Sequence, residues 1–232
     1  MNTLTLPPPP ATTASAPPTV FIVDDDPSIC RSLSRLIRLS GWAVQTYSSA
    51  ENFLQSHPTP VLHPACMVLD LQMPGMDGLE LQRQLAAERT PCPVVFMSGN
   101  GEVADSVQAM KQGAVTFLAK PFDCDELLKI IKGSLEKHAD QLAASRYVDE
   151  VLDRIESLSV REREVMGWVI TGALNKQIAA RLGITVQTVK VHRGRAMEKM
   201  HTSSVADLVR LCAAAGFKPP AEEGEADRPK VQ

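Results

Sequence analysis

Five residues in this chain have types and spacing that could do chemistry together: Asp24, Asp25, Asp70, Ser98 and Lys120. Each stands at the end of a short apolar run. Val20-Phe21-Ile22-Val23 leads into Asp24-Asp25-Asp26-Pro27, Cys66-Met67-Val68-Leu69 into Asp70, the run after Pro93 into Ser98, and the run after Val115 into Lys120. In an open α/β sheet, ligands collect at the carboxyl ends of the strands. These side chains are therefore expected at one rim of a sheet, provided the strand order brings the first, third, fourth and fifth strands together. Three crowded carboxylates raise one another's pKa values unless a cation neutralises them. Magnesium suits that role, because it prefers carboxylate oxygens, water and a phosphate oxygen. A lysine supplies a point charge for a phosphoryl group, and a serine hydroxyl can hydrogen-bond one of its oxygens. A carboxylate can attack phosphorus to form an aspartyl phosphate, with positioning and charge neutralisation supplying most of the catalysis. Asp70 is the expected acceptor, because a turn (Gln72-Met73-Pro74-Gly75-Met76-Asp77-Gly78) and a helical pattern follow it.

The elements that must hold these residues alternate regularly. Strands are expected at Val20–Val23, Ala43–Tyr47, Ala65–Leu71, Pro93–Met97 and Val115–Ala119. Between them run helical patterns from Pro27 to a stop at Gly41, over Ala50–Gln55, Leu79–Glu88 and Glu102–Gln112, and from Asp123 through Leu127, Leu128, Ile131 and Leu135. Proline suits the first turn of a helix, and glycine suits its end. Five strands alternating with five helices call for a parallel sheet covered on both faces. Near-continuous apolar strands agree, since a strand buried on both sides need not alternate. This unit spans about 19–136. Residues 1–18 are rich in Pro, Thr and Ala and are expected to form a disordered tail. Residues 137–157 are polar but stay in helical register, as a helical linker would. Residues 158–216 read as four short helices, at about 161–171, 174–182, 186–199 and 204–215, and 217–232 as a second disordered tail.

Composition sets the class. Apolar residues make up 44% of the 232, enough for ordinary cores, and the net charge of −3 alone predicts no nucleic-acid partner. The charge is uneven, however: Ile155 to Gly216 holds nine basic and five acidic residues. An acidic domain joined to a basic one is implied. Five scattered cysteines without a CxxC pair suggest buried thiols in a reducing compartment. No apolar run approaches the ~20 residues of a membrane span, and the first residues lack the pattern of a signal peptide. A cytoplasmic protein is expected.

In the basic part, Asn175 to His192 has the order helix, glycine turn, helix. Ile178, Ala179 and Leu182 form the inner face of the first helix, with Ile184 and Val189 packing against it. Thr188, Lys190, Val191, His192, Arg193 and Arg195 are left as candidates for an exposed face. A helix fits the major groove of double-stranded DNA and reads base edges from its N-terminal residues, while Lys and Arg neutralise phosphates. Val205, Leu208, Val209 and Cys212 make an apolar stripe at i, i+3, i+4, i+7. Such a stripe builds core or a dimer contact.

Taken together, Asp24-Asp25, Asp70 before Met73-Pro74 and Gly78, Ser98, and Lys120-Pro121-Phe122 resemble the response-regulator receiver domain. The second region is similar to the LuxR/NarL/FixJ-type helix-turn-helix, through Leu158-Ser159-Val160-Arg161-Glu162-Arg163-Glu164-Val165, Asn175-Lys176-Gln177-Ile178-Ala179 and Thr188-Val189-Lys190-Val191-His192. The resemblance implies a five-stranded parallel doubly wound (flavodoxin-like) receiver, a small all-α four-helix DNA-binding domain, and a helical linker. It implies Mg²⁺ held by Asp24, Asp25, Asp70 and the Gln72 carbonyl, with Asp70 the phosphoacceptor. It makes Ser98 and Phe117 switch residues, Lys120 the phosphate partner, and the peptide before Pro121 cis. In the DNA-binding domain, Lys190 and Val191 would face bases, with Thr188, His192, Arg193 and Arg195 nearer the backbone. Gly194 departs from the pattern, standing where a larger residue is often found. The implied partners are a sensor histidine kinase, double-stranded DNA and a second copy of the chain on phosphorylation, with RNA polymerase as a further one. The implied function is phosphorylation-dependent regulation of transcription, the only chemistry being the receiver's own phosphoryl transfer and dephosphorylation.

Three rivals use parts of the same pattern. A phosphatase of the haloacid dehalogenase type needs a second Asp two residues after the first, and Gln72 stands there. A receiver that is never phosphorylated would not need the full acid, serine and lysine set. A sigma-like factor would need a polymerase-binding region, and none is evident.

Overall fold

The computed structural model describes residues 17–57, 61–87, 91–99 and 116–220. The helix expected at 102–112 lies outside the described residues, as do 1–16 and 221–232 of the expected tails. The strands are β1 (Thr19–Val23), β2 (Ala43–Tyr47), β3 (Ala65–Asp70), β4 (Val94–Ser98) and β5 (Thr116–Ala119). The helices are α1 (Pro27–Leu39), α2 (Ala50–Ser56), α3 (Gly78–Leu85), α4 (Cys124–Glu156), α5 (Val160–Ile170), α6 (Asn175–Leu182), α7 (Val186–Lys199) and α8 (Val205–Ala214). The chain divides into two compact units, at residues 1–145 and 146–232.

In the first unit the five strands form one parallel sheet in the order β2-β1-β3-β4-β5. Every residue of β1, β3 and β4 is buried. Their side chains alternate between two cores, as the two-residue period of a strand requires. Phe21, Val23, Met67, Leu69 and Phe96 face a core completed by Phe53 of α2 and Leu81 and Leu85 of α3. Val20, Ile22, Cys66, Val68, Val95 and Met97 face the opposite one, completed by Leu33 and Ile37 of α1 and Leu127, Ile131 and Leu135 of α4. Each fully buried large side chain contributes about 1.5–3 kcal/mol by leaving water. A sheet covered on both faces has its free space at the strand ends, and there the chemistry-bearing residues lie.

Helix starts are fixed by local side chains. Asp26 caps α1 by accepting from the Ser28 N–H, with Pro27 at the first helical position. Ser49 caps α2 and Asp77 caps α3. The polar stretch 137–156 belongs to α4, a single helix of 33 residues.

The second unit is all-helical. Val151 and Ile155 of α4 pack with Val165, Met166 and Val169 of α5, Ile178 of α6, Val189 and Ala196 of α7, and Leu208 and Cys212 of α8. Ser159, Thr185 and Ser204 cap α5, α7 and α8. Gly183 ends α6 at φ 65°, a left-handed turn that glycine takes without strain. Phe217, expected in an unfolded tail, packs against this core, and its N–H donates to the Cys212 carbonyl at 2.8 Å. Its apolar ring is better placed there than in water, so the ordered chain continues past Gly216.

Candidate functional site

The strand order places the ends of β1, β3, β4 and β5 side by side, and the residues at these ends converge. The Asp24 N–H continues the β1–β2 ladder by donating to the Tyr47 carbonyl at 3.2 Å. Its buried carboxylate accepts from the Asp26 N–H through Oδ1 at 2.9 Å and from Lys120 Nζ through Oδ2 at 2.9 Å. Asp70 closes β3 at 7% exposure. Its Oδ1 accepts from the same Lys120 Nζ at 2.7 Å. Ser98 closes β4, buried, and its carbonyl accepts from the Lys120 N–H at 2.8 Å. Lys120 follows β5, joined to Pro121 by a cis peptide. Phe117 pairs with Phe96 across β4 and β5 and packs, partly buried, on the core beneath. Asp25 is exposed, and with Gln72 it borders a cleft of about 530 Å³ whose other walls include Met73, Pro74 and Asp77.

Burial pushes the Asp70 carboxyl above the usual aspartate range; Lys120 opposes that rise, and the Asp24 and Asp25 charges add to it. Burial alone would lower the Lys120 ammonium, but its bonds to Asp70 and Asp24 hold it above the ordinary lysine value. The site is thus short of positive charge. Among the described residues no group of three or more acids, histidines or cysteines is drawn together closely enough to hold a metal ion. One ammonium is bound by both Asp24 and Asp70, and Asp25 is exposed. The donor set still suits a hard cation, since two carboxylates already converge on one positive charge and Asp25 and Gln72 border the adjoining cleft.

Gly78 belongs to the sequence motif, and the structure adds the reason it must be glycine. A Cβ there would lie 2.4 Å from the Asp70 carbonyl oxygen and 3.0 Å from the Phe96 ring. Only glycine lets α3 start this close to β3, with the Gly78 N–H donating to the Leu71 carbonyl at 3.0 Å.

In the second unit, α6, the turn at Gly183 and α7 form the expected helix pair. Lys190, Val191 and Arg195 are exposed on α7. Thr188 is partly buried and bonds the capping Thr185 hydroxyl at 2.8 Å, and His192 is partly buried. Arg193 turns back, donating to Asn175 Oδ1 of α6 at 3.1 Å. It ties the two helices together, so its placement differs from that of the exposed Lys190 and Arg195. The α8 stripe is likewise divided. Leu208 and Cys212 are buried in the core, Val205 packs on it partly buried, and Val209 is exposed. Leu208 and Cys212 therefore hold α8 to its own domain and have no surface to offer a dimer.

Glu162 is a structural residue that the sequence does announce, through the Ser159-x-x-Glu162 capping box. Its buried Oε2 accepts from the Ser159 N–H at 2.9 Å and from Lys199 Nζ at 2.7 Å. The Lys199 hydrogen bond, with that of the Ser159 N–H, holds its carboxyl down at about 2. The start of α5 is thereby tied to the end of α7, and Arg181 lies 4.2 Å over the Trp168 ring on the same domain.

These two units match two family models. Residues 20–132 match the response regulator receiver domain, and residues 156–212 match the bacterial regulatory proteins of the luxR family. Nodulation protein W of Bradyrhizobium diazoefficiens is 42% identical over 194 residues, which cover 84% of this chain and 85% of that protein. Response regulator protein TodT of Pseudomonas putida is 43% identical over 188 residues, covering 81% of this chain and 82% of that one. The solved structure of response regulator StyR is 42% identical and covers 85% of this chain and 99% of its own, with a TM-score of 0.77. A receiver unit with acids, serine and lysine at one rim, followed by a helix pair of the luxR family, places the chain among the two-component response regulators that regulate transcription through a LuxR-type DNA-binding domain.

Proposed function

We propose that Asp70 accepts a phosphoryl group from the phosphohistidine of a sensor kinase, and that the change at this site raises the affinity of the chain for specific double-stranded DNA. The observation that carries this reading is the Lys120 ammonium bonded to both Asp24 and Asp70, at 2.9 and 2.7 Å, beside Ser98. A carboxylate oxygen of Asp70 bonds to phosphorus as the phosphorus–nitrogen bond breaks, and the freed electron pair returns to the imidazole. Asp24, Asp25, Asp70 and the Gln72 carbonyl would hold Mg²⁺, which when bound neutralises charge on the phosphoryl oxygens. Lys120 turns from Asp24 to the phosphoryl group and keeps its charge facing Asp70. The Ser98 hydroxyl bonds a phosphoryl oxygen, and Phe117 shifts inward as Ser98 moves. A water oxygen later bonds to phosphorus as the Asp70 oxygen–phosphorus bond breaks, releasing inorganic phosphate and the free carboxylate, which makes the receiver the catalyst of its own dephosphorylation.

Population of the phosphorylated form favours a homodimer, which sets two α7 helices on adjacent half-sites. Lys190 and Val191 meet bases, and Thr188, His192, Arg193 and Arg195 lie nearer phosphates. Val209 is the exposed member of the α8 stripe left for a dimer contact. RNA polymerase is the further partner through which transcription changes. No described helix is long and apolar enough to cross a membrane, and cytoplasmic action next to kinase and DNA fits this role.

The test selects bound DNA from a random pool with the full chain, with and without acetyl phosphate and MgCl₂. One common sequence should be enriched, bound more tightly after phosphoryl transfer, with the gain absent in Asp70→Asn. Equal binding in both states by the unmodified chain contradicts the reading.

A further inference from the structure

We propose that Glu51 is a positioning residue for the phosphoryl-acceptor site, holding the loop between β3 and α3 in place from across the fold. Glu51 lies in the first turn of α2, and its Oε1 accepts from the Met76 N–H at 2.8 Å, 25 residues away in sequence. The ends of that loop are fixed by backbone bonds: Leu71 N–H to the Met97 carbonyl, and Gly78 N–H to the Leu71 carbonyl, both at 3.0 Å. Glu51 supplies a side-chain tether at its middle. The neighbouring Gly75 shows the same close approach. It stands at φ +82°, and a Cβ on it would lie 2.7 Å from the same Glu51 oxygen. The carboxylate therefore lies directly over the turn.

The loop matters because Gln72, Met73, Pro74 and Asp77 form one side of the cleft that Asp25 borders. This inference rests on the reading of Asp70 as acceptor and of Gln72 as a metal-binding carbonyl. A backbone carbonyl has no rotamer to adjust, so its position is the position of the loop. Residues that orient such ligands control metal affinity as strongly as many ligands do. A carboxylate in the first turn of α2 also favours the helix dipole. That role needs only charge, whereas the tether needs an oxygen at the Met76 N–H.

Two variants of the full chain separate these roles. Glu51→Ala removes the acceptor; Glu51→Gln keeps an oxygen there and removes the charge. Hydrogen exchange at the Met76 amide reads the tether, and titration with MgCl₂ alone reads its consequence. Glu51→Ala should speed Met76 exchange and weaken Mg²⁺ binding about tenfold, while Glu51→Gln keeps both close to the unmodified chain. Unchanged Met76 exchange and Mg²⁺ affinity in Glu51→Ala overturn the proposal. So does equal loss in both variants, which assigns the effect to charge alone. If the unmodified chain binds no Mg²⁺, the reading of the acceptor site fails and takes the positioning role with it. Met76 exchange still reports the tether separately.

Discussion

Lys120 Nζ lies 2.7 Å from Asp70 Oδ1, although 50 residues separate them in sequence. The contact exists because β3 and β5 flank β4 and all three strands run in one direction. The same ammonium also serves Asp24, so one positive charge answers two buried acids. That shortage is why burial still keeps the Asp70 carboxyl above its ordinary value.

Removing the ammonium should expose the repulsion it relieves. Lys120→Ala is expected to destabilise the receiver by about 2 kcal/mol at neutral pH, less than for a fully buried pair because Lys120 is partly exposed. An acid whose folded pKa is raised binds protons more readily folded than unfolded, so lowering the pH stabilises the folded state relative to the unfolded one. The deficit should therefore shrink on acidification from neutrality as Asp70 takes up a proton. Urea unfolding of both proteins across that range checks it; a deficit that grows toward acid contradicts it.

Glu162 behaves in the opposite sense. Its carboxyl titrates near 4.5 when unfolded and at about 2 when folded, so its contribution is complete above pH 4.5 and is lost as pH falls through about 2. Glu162→Gln should cost the DNA-binding unit about 2 kcal/mol at neutral pH and flatten its stability between pH 4.5 and 2. The chain has two tryptophans, Trp42 and Trp168. Fluorescence in a Trp42→Phe background follows the unfolding of this unit.

Two basic residues of α7 should separate by phenotype. Lys190 is exposed, so Lys190→Ala should weaken DNA binding without lowering stability. Arg193 bonds Asn175, so Arg193→Ala should also destabilise the unit by about 1 kcal/mol. If Lys190 meets a phosphate, the slope of log affinity against log salt falls by about 1. If it meets a base edge, selectivity at one position relaxes. Unchanged affinity in Lys190→Ala removes it from the interface.

The strands, and the acids at their ends, were legible because their signals are local. An apolar run that ends on a carboxylate marks the end of a strand: Asp24 directly follows β1 and Asp70 closes β3. Pro27, Gly41 and Gly183 mark helix ends by their backbone demands. What the sequence hid depends on distance in three dimensions. Gly78 stands in the motif, but the contact that requires glycine shows only when the Asp70 carbonyl is seen against it. Glu51 looks like a solvated helix-start acid until the Met76 N–H meets it. Leu208 and Cys212 carry the periodicity of a dimer face, yet periodicity cannot say whether the face packs on its own domain or on another. Arg193 reads as a DNA contact because its charge is visible in sequence and its bond to Asn175 is not.

The most direct measurement is to locate the phosphoryl group itself. The full chain is incubated with acetyl phosphate and MgCl₂, the acyl phosphate is reduced with borohydride, and the modified peptide is identified by mass spectrometry. The account predicts a single modified position, Asp70, and no modification in Asp70→Asn. Modification at Asp24, Asp25 or an acid away from this rim, or undiminished modification in Asp70→Asn, contradicts it.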